Sequence, residues 1–149
     1  MSIKDKLRDE LTKALKSGDN QRKTTLRMAL AAIKNAEVEA RKELDEDLVL
    51  NLLQKEVKAR QETIEGAKQA ARPDLIEKAE QEIKILSDFL PQQLSAEELR
   101  ALVQEAIEES GATSMSEIGK VMGALMPKIR GKADGKQANQ IVRELLGAE

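Results

Sequence analysis

The sequence predicts an all-α protein, and three observations predict it. Ala, Leu, Glu, Lys and Gln, all good helix formers, are abundant, while the one aromatic residue is Phe89. Apolar residues recur at steps of three and four along most of the 149 residues, the spacing of one helix face. Helix-start and helix-stop residues punctuate those stripes. With 40% hydrophobic and 35% charged residues, there is enough apolar material for a core and more charge than globular proteins usually carry.

Ile3, Leu7, Leu11, Ala14 and Leu15 line one face of a first helix that ends near Ser17 and Gly18. Asp19 and Asn20 offer a cap for a long second helix, with Leu26, Leu30 and Ile33 inward and Glu37 to Lys42 as a solvated end. Asp45, Glu46 and Asp47 put negative charge where a third helix begins, favourable against its partial positive end. Val49, Leu52, Leu53, Val57 and Ile64 form its apolar face, and Gly66 weakens its end. Pro73 restricts the residue before it and so breaks the chain, after which Leu75, Ile76, Ala79, Ile83 and Leu86 make a fourth stripe.

A second break falls at Phe89, Leu90 and Pro91. Ser95 and Glu98 have capping-box spacing before Leu99, Leu102, Val103, Ala106 and Ile107, and Gly111 suits the left-handed residue that closes this helix. Ser114 and Glu117 repeat the spacing before Ile118, Val121, Met122 and Leu125, a helix expected to stop at Met126 and Pro127. Pro127 to Ala133 then read as a loop, and Asp134 and Gln137 open a last helix burying Ala138, Ile141, Val142 and Leu145. The change from long helices to short capped ones predicts an N-terminal bundle of long helices at 1–91 and a small three-helix C-terminal domain at 92–149.

Several functions are excluded at once. Without Cys or His there is no disulfide framework, no thiolate or imidazole metal site, no Cys nucleophile and no Ser-His-Asp triad. The longest uncharged run near the front, Met28 to Ile33, is far short of the roughly 20 apolar residues of a membrane span. The mixed charges of Lys4, Asp5, Lys6, Arg8, Asp9 and Glu10 fit neither a signal peptide nor a transit peptide, so a cytoplasmic location is expected, with no membrane partner.

Charge is distributed unevenly. Residues 1–90 hold 18 basic and 18 acidic side chains, mostly a solvated face, whereas 97–117 hold six Glu and one Arg. From 120 to 136 the sign reverses: Lys120, Lys128, Arg130, Lys132 and Lys136 stand against Asp134 alone. This glycine- and proline-interrupted stretch, shaped by Gly119, Gly123, Pro127, Gly131 and Gly135, is the candidate phosphate-contacting site, where backbone N–H groups at a helix start add to the attraction. The plainer alternative is a run of ordinary surface charges. Because Tyr, Trp and His are absent, a nucleic acid would be held by its backbone and shape rather than by base stacking.

Other chemistry fits these residues less well. Gly131 to Lys136 spaces its glycines one residue short of a Walker loop, and Gln137 stands where Ser or Thr would hold magnesium. Ser116 and Lys120 sit one helical turn apart, a spacing more often a solvent contact than a nucleophile and base. Asp45 to Asp47 point in different directions and read as a cap, not a cation site. Gly119 and Gly123 read as a close-packing face, and Met115, Met122 and Met126 as core filler. No catalytic residue, metal site or cofactor is expected.

The string from Ile118 to Gly135 resembles the signature of the GatB/YqeY family. The likeness continues through Leu26-Arg27-Met28, through Leu86 to Leu94 and through Asn139 to Leu146, and the length is similar to that of stand-alone YqeY-like members. The resemblance implies a helical bundle followed by a three-helix domain like the tail of the GatB component of the aspartyl/glutamyl-tRNA amidotransferase, which helps hold tRNA. It therefore implies tRNA engagement through Lys120, Lys128, Arg130, Lys132 and Lys136. Nothing here resembles the large catalytic region of that component or a glutaminase. The family's carbon–nitrogen ligase label, with glutamine as nitrogen donor, would then belong to a complex in which this chain is an accessory. The expectation is a tRNA-binding accessory module whose N-terminal helices dock a partner. The competing reading is a helical protein-interaction adaptor without RNA contact.

Overall fold

The computed structural model describes residues 1–147 as seven α-helices and one 3-10 turn, and among the described residues there is no strand, so the fold is all-α. By its internal contacts the chain divides into two compact units, Met1–Pro91 and Gln92–Glu149.

The first unit holds α1 (Ile3–Ser17), α2 (Asn20–Ala40), α3 (Glu46–Gln69) and α4 (Pro73–Ser87). Each start follows from local chemistry. Ser2, Asp19 and Asp45 accept from the backbone N–H of Asp5, Arg22 and Leu48, and Pro73 opens α4, where its missing N–H leaves no bond unmade. Gly18, at φ +76°, turns the chain from α1 to α2 in the left-handed region that favours glycine. Leu7, Leu26, Ile33, Leu53 and Leu86 form the fully buried centre. Two stripe ends, Leu15 and Leu75, stay exposed, because a stripe is buried only where a neighbouring helix covers it. Gly66 lies inside α3, which runs on to Gln69 and buries Ala67.

One cation is buried in this unit. Arg60 of α3 donates from Nε to Glu82 of α4 at 2.6 Å, and from a terminal nitrogen to the Glu56 carboxylate at 2.8 Å and carbonyl at 3.0 Å. Burial alone would lower its pKa, but hydrogen bonds to both carboxylates outweigh that and raise it. Glu37, expected in a solvated end, instead receives Lys4 Nζ at 2.8 Å and the Leu44 N–H at 2.9 Å.

The second unit holds α5 (Ala96–Ser110), a 3-10 turn (Met115–Glu117), α6 (Ile118–Ile129) and α7 (Gly135–Gly147). Ser95 accepts from the Glu98 N–H at 3.1 Å, and Gly111 closes α5 at φ +70°. The second expected capping box is absent: Ser114 Oγ pairs with Ser116 Oγ at 2.8 Å, and the chain makes a 3-10 turn before α6 begins. Helix α6 also does not stop at Pro127. It continues to Ile129, because Val121, Leu125 and Ile129, at steps of four, are all buried, and this outweighs the bond the proline removes in the last turn. On α7, Leu146 rather than Leu145 completes the buried set with Ala138, Ile141 and Val142.

Candidate nucleic-acid interface

The connection between α6 and α7 is shorter than the sequence implied: five residues, Arg130 to Asp134. It is fixed by backbone bonds. The N–H groups of Lys132 and Ala133 both donate to the Ile129 carbonyl, at 2.8 and 3.1 Å. Leu94 N–H donates to the Lys132 carbonyl at 2.9 Å, and Gln93 Nε2 to the Gly131 carbonyl at 2.8 Å. The segment before α5 therefore staples the loop, a role for Gln93 and Leu94 that sequence reasoning missed, since no short spacing signals a contact between residues 38 apart. Gly131 is buried at φ +76°, so a side chain there would be strained.

Of the other residues expected to shape the loop, Gly119, Gly123 and Pro127 belong to α6 and form its exposed row at steps of four. A Cβ built on Gly119 or Gly123 meets nothing within 4 Å, so neither serves close packing within this unit. Gly135 starts α7, and its added Cβ would make an ordinary 3.7 Å contact with Met126 Cε. Met122 and Met126 pack on the core, while Met115 is exposed.

The five basic residues do not form one cluster. Lys120 sits in the first turn of α6, about 12 Å of helix rise from Lys128 in the last turn. Lys128 turns toward α5, where Nζ donates to both Glu109 carboxylate oxygens at 3.0 and 2.9 Å and lies 3.7 Å from Glu105. The Glu109 hydrogen bond, with Glu105 adding to it, holds the Lys128 ammonium above the usual lysine range. The acidic run of α5 and the basic run after it, visible as a sign reversal in the sequence, are thus partly spent on each other. Arg130, Lys132 and Lys136 are exposed around the loop, and Lys120, Lys132 and Lys136 make no salt bridge among the described residues.

Two backbone donors at the start of α7 are engaged. Asp134 Oδ1 accepts from the Lys136 N–H at 3.1 Å, and the Asp134 carbonyl from Ala138 at 3.0 Å. Among the described residues no group of three or more acidic, His or Cys side chains is arranged to hold a metal ion, and no helix is long and apolar enough to cross a membrane.

Comparison with known proteins adds relatives to this geometry. The family profile described as "Yqey-like protein" matches residues 4–146. The chain is similar to altered inheritance of mitochondria protein 41, mitochondrial, of Pyrenophora tritici-repentis, at 30% identity over 149 residues, covering 97% of this chain and 81% of that protein. The protein of that name from Lachancea thermotolerans is 40% identical over 87 residues, and there the match spans 58% of this chain and about half, 46%, of the relative. A glutamyl-tRNA(Gln) amidotransferase subunit of Thermococcus sibiricus is 40% identical over 57 residues, 36% of this chain and 9% of that much longer protein.

Proposed function

The chain belongs to the YqeY-like family, and on that premise we propose that it is a tRNA-binding accessory module. The observation that carries this reading is the stapled loop and the first turn of α7, which present Lys132 and Lys136 to solvent without carboxylate partners among the described residues. The partial likeness to an amidotransferase subunit supports a tRNA as the polyanion. Lys120 and Arg130 add positive charge nearby in sequence, and Lys128 contributes least because Glu105 and Glu109 neutralise it. Catalysis of amide transfer is not assigned to this chain alone; such chemistry would need a partner that supplies it. A cytoplasmic workplace is part of the reading, and because fungal relatives carry the word mitochondrial in their names, cell fractionation is its check.

Filter binding of unfractionated tRNA at two salt concentrations tests the proposal. Lys132→Ala combined with Lys136→Ala should weaken binding uniformly across tRNAs and lower the log–log salt slope by about 1.4 to 1.8, at 0.7 to 0.9 per phosphate contact. An unchanged slope refutes the loop as the site. The adaptor reading draws on exposed apolar side chains of the first unit, Leu15 and Leu75 among them. It gains if a defined partner stays bound after nuclease digestion and to the loop variant alike.

A further inference from the structure

The first unit is electrically balanced over its length, but its charge is spread unevenly. Residues 20–42, which span α2 and its C-terminal turn, carry six basic and two acidic side chains. Arg22 is engaged by Glu10 at 3.2 Å and Asp88 at 3.6 Å. Of the two acids, Glu37 is occupied by Lys4 and the Leu44 N–H, which leaves Glu39. At 100° per residue, Lys23, Arg27 and Lys34 fall within about 40° of one line along α2, and Arg41, at the helix end, continues it. Glu39 projects about 120° away from Arg27. Arg27, Lys34 and Arg41 are exposed and Lys23 is half-buried, and among the described residues none of the four makes a salt bridge.

Other cations of the unit, Lys4, Lys13, Arg22, Arg60, Lys68 and Arg72, each have a carboxylate within 3.4 Å, whereas this row aligns four that make no salt bridge among the described residues. Like charges one turn apart on a helix, such as Lys23 and Arg27, repel each other. We infer that the outward face of α2 is a second polyanion-binding surface, shaped to lie along the sugar-phosphate backbone of a structured RNA. It rests on residues separate from the α6–α7 loop and shares only its ligand class with the proposed function.

The chemistry of the row favours RNA over the other polyanions. Between the cations stand Ala31 and Val38, the latter 68% exposed, with no aromatic anchor of the kind that dominates protein interfaces. An interfacial membrane helix would bury a broad apolar face in lipid, but the apolar face of α2, Leu26, Ala29 and Ile33, is committed to the core. A straight cationic line about 27 Å long, without stacking groups, fits a regular charged backbone.

Filter binding of unfractionated tRNA and of a plain RNA duplex, with circular dichroism to verify folding, tests the inference. Arg27→Gln with Lys34→Gln keeps good helix formers in α2 and should lower the salt slope by about 1.4 to 1.8. Val38→Lys, within the row, should raise it by about 0.7 to 0.9, a gain that damage to the fold would not produce. Unchanged slopes in both variants, with the loop variant still weakened, overturn the inference and leave the proposed function standing. Weakening by the α2 variant alone supports the inference while the loop reading falls. Absence of RNA binding by the unaltered protein overturns both. Capture by vesicles one-third phosphatidylserine through the same residues, with RNA binding unaffected, overturns it in favour of a lipid surface.

Discussion

Arg60 and Lys132 show two opposite uses of a positive side chain. Arg60 is 8% exposed, threaded between α3 and α4, and bound to carboxylates from both helices. Lys132 stands on a loop whose backbone is pinned by four hydrogen bonds while its side chain is left in solvent. The first region fixes the cation and so helps define helix pairing. The second fixes the backbone and leaves the cation for something outside the chain. Lys128 lies between these limits, half-exposed and held by Glu109 and Glu105. A basic residue is therefore informative about ligands only after its carboxylate partners have been counted.

The comparison breaks most severely at the platform beneath the loop. Leu125, fully buried in the core on which Ile129 and the loop rest, should cost about 2–5 kcal/mol when changed to Ala, read as the free energy of urea unfolding. A smaller loss, with tRNA binding intact, would mean that the loop does not depend on that core. Next in size is the Arg60 cluster. Glu82→Leu leaves the guanidinium with Glu56 alone and should destabilise the first unit by about 1–3 kcal/mol, since a half-compensated buried charge remains. A neutral outcome would place Arg60 with the exposed cations rather than apart from them.

The sequence revealed much of this frame because local signals and tertiary needs agree in most places. Asp19, Asp45 and Ser95 cap the helices that their spacing announces, and Leu7, Leu26, Leu53, Leu99 and Leu125 are the buried members of their stripes. Local signals fail where a distant contact decides. Pro127 reads as a helix stop, but the burial of Ile129 carries α6 past it. Ser114 and Glu117 have the spacing of a cap, yet the chain takes a 3-10 turn. The candidate site was legible as a basic stretch and not as a geometry. Its division into engaged Lys128, distant Lys120, loop-borne Lys132 and Lys136 in the first turn of α7 depends on α5 and on Gln93 and Leu94, which no spacing within residues 120 to 136 encodes. The row on α2 escaped for a different reason: averaging charge over residues 1–90 gives zero and hides a line of basic residues that make no salt bridge among the described residues.

Acid and alkali should separate the two units by small effects of opposite sign. Glu37 is held below the ordinary 4.5, first by the Lys4 hydrogen bond and then by the Leu44 N–H. Its contribution is complete above that ordinary value and is lost as pH falls through the lower folded one. Glu37→Gln should therefore flatten part of the acid-side decline in melting temperature.

Lys128 gives the mirror case and the smallest expected change. Its folded pKa is raised above the ordinary 10.5, so the stability it lends is present below that value and is lost as pH rises through the higher folded one. Lys128→Ala should thus flatten the alkaline side of the stability profile. The same variant sharpens the comparison with Lys132. Because two carboxylates already neutralise Lys128, its removal should change the tRNA salt slope by less than the roughly 0.7 that one phosphate contact contributes. A slope that falls by a full contact would show that RNA draws the ammonium away from α5. Lys128 would then be a ligand contact held in reserve by Glu105 and Glu109, and Glu109→Gln should strengthen binding by freeing it.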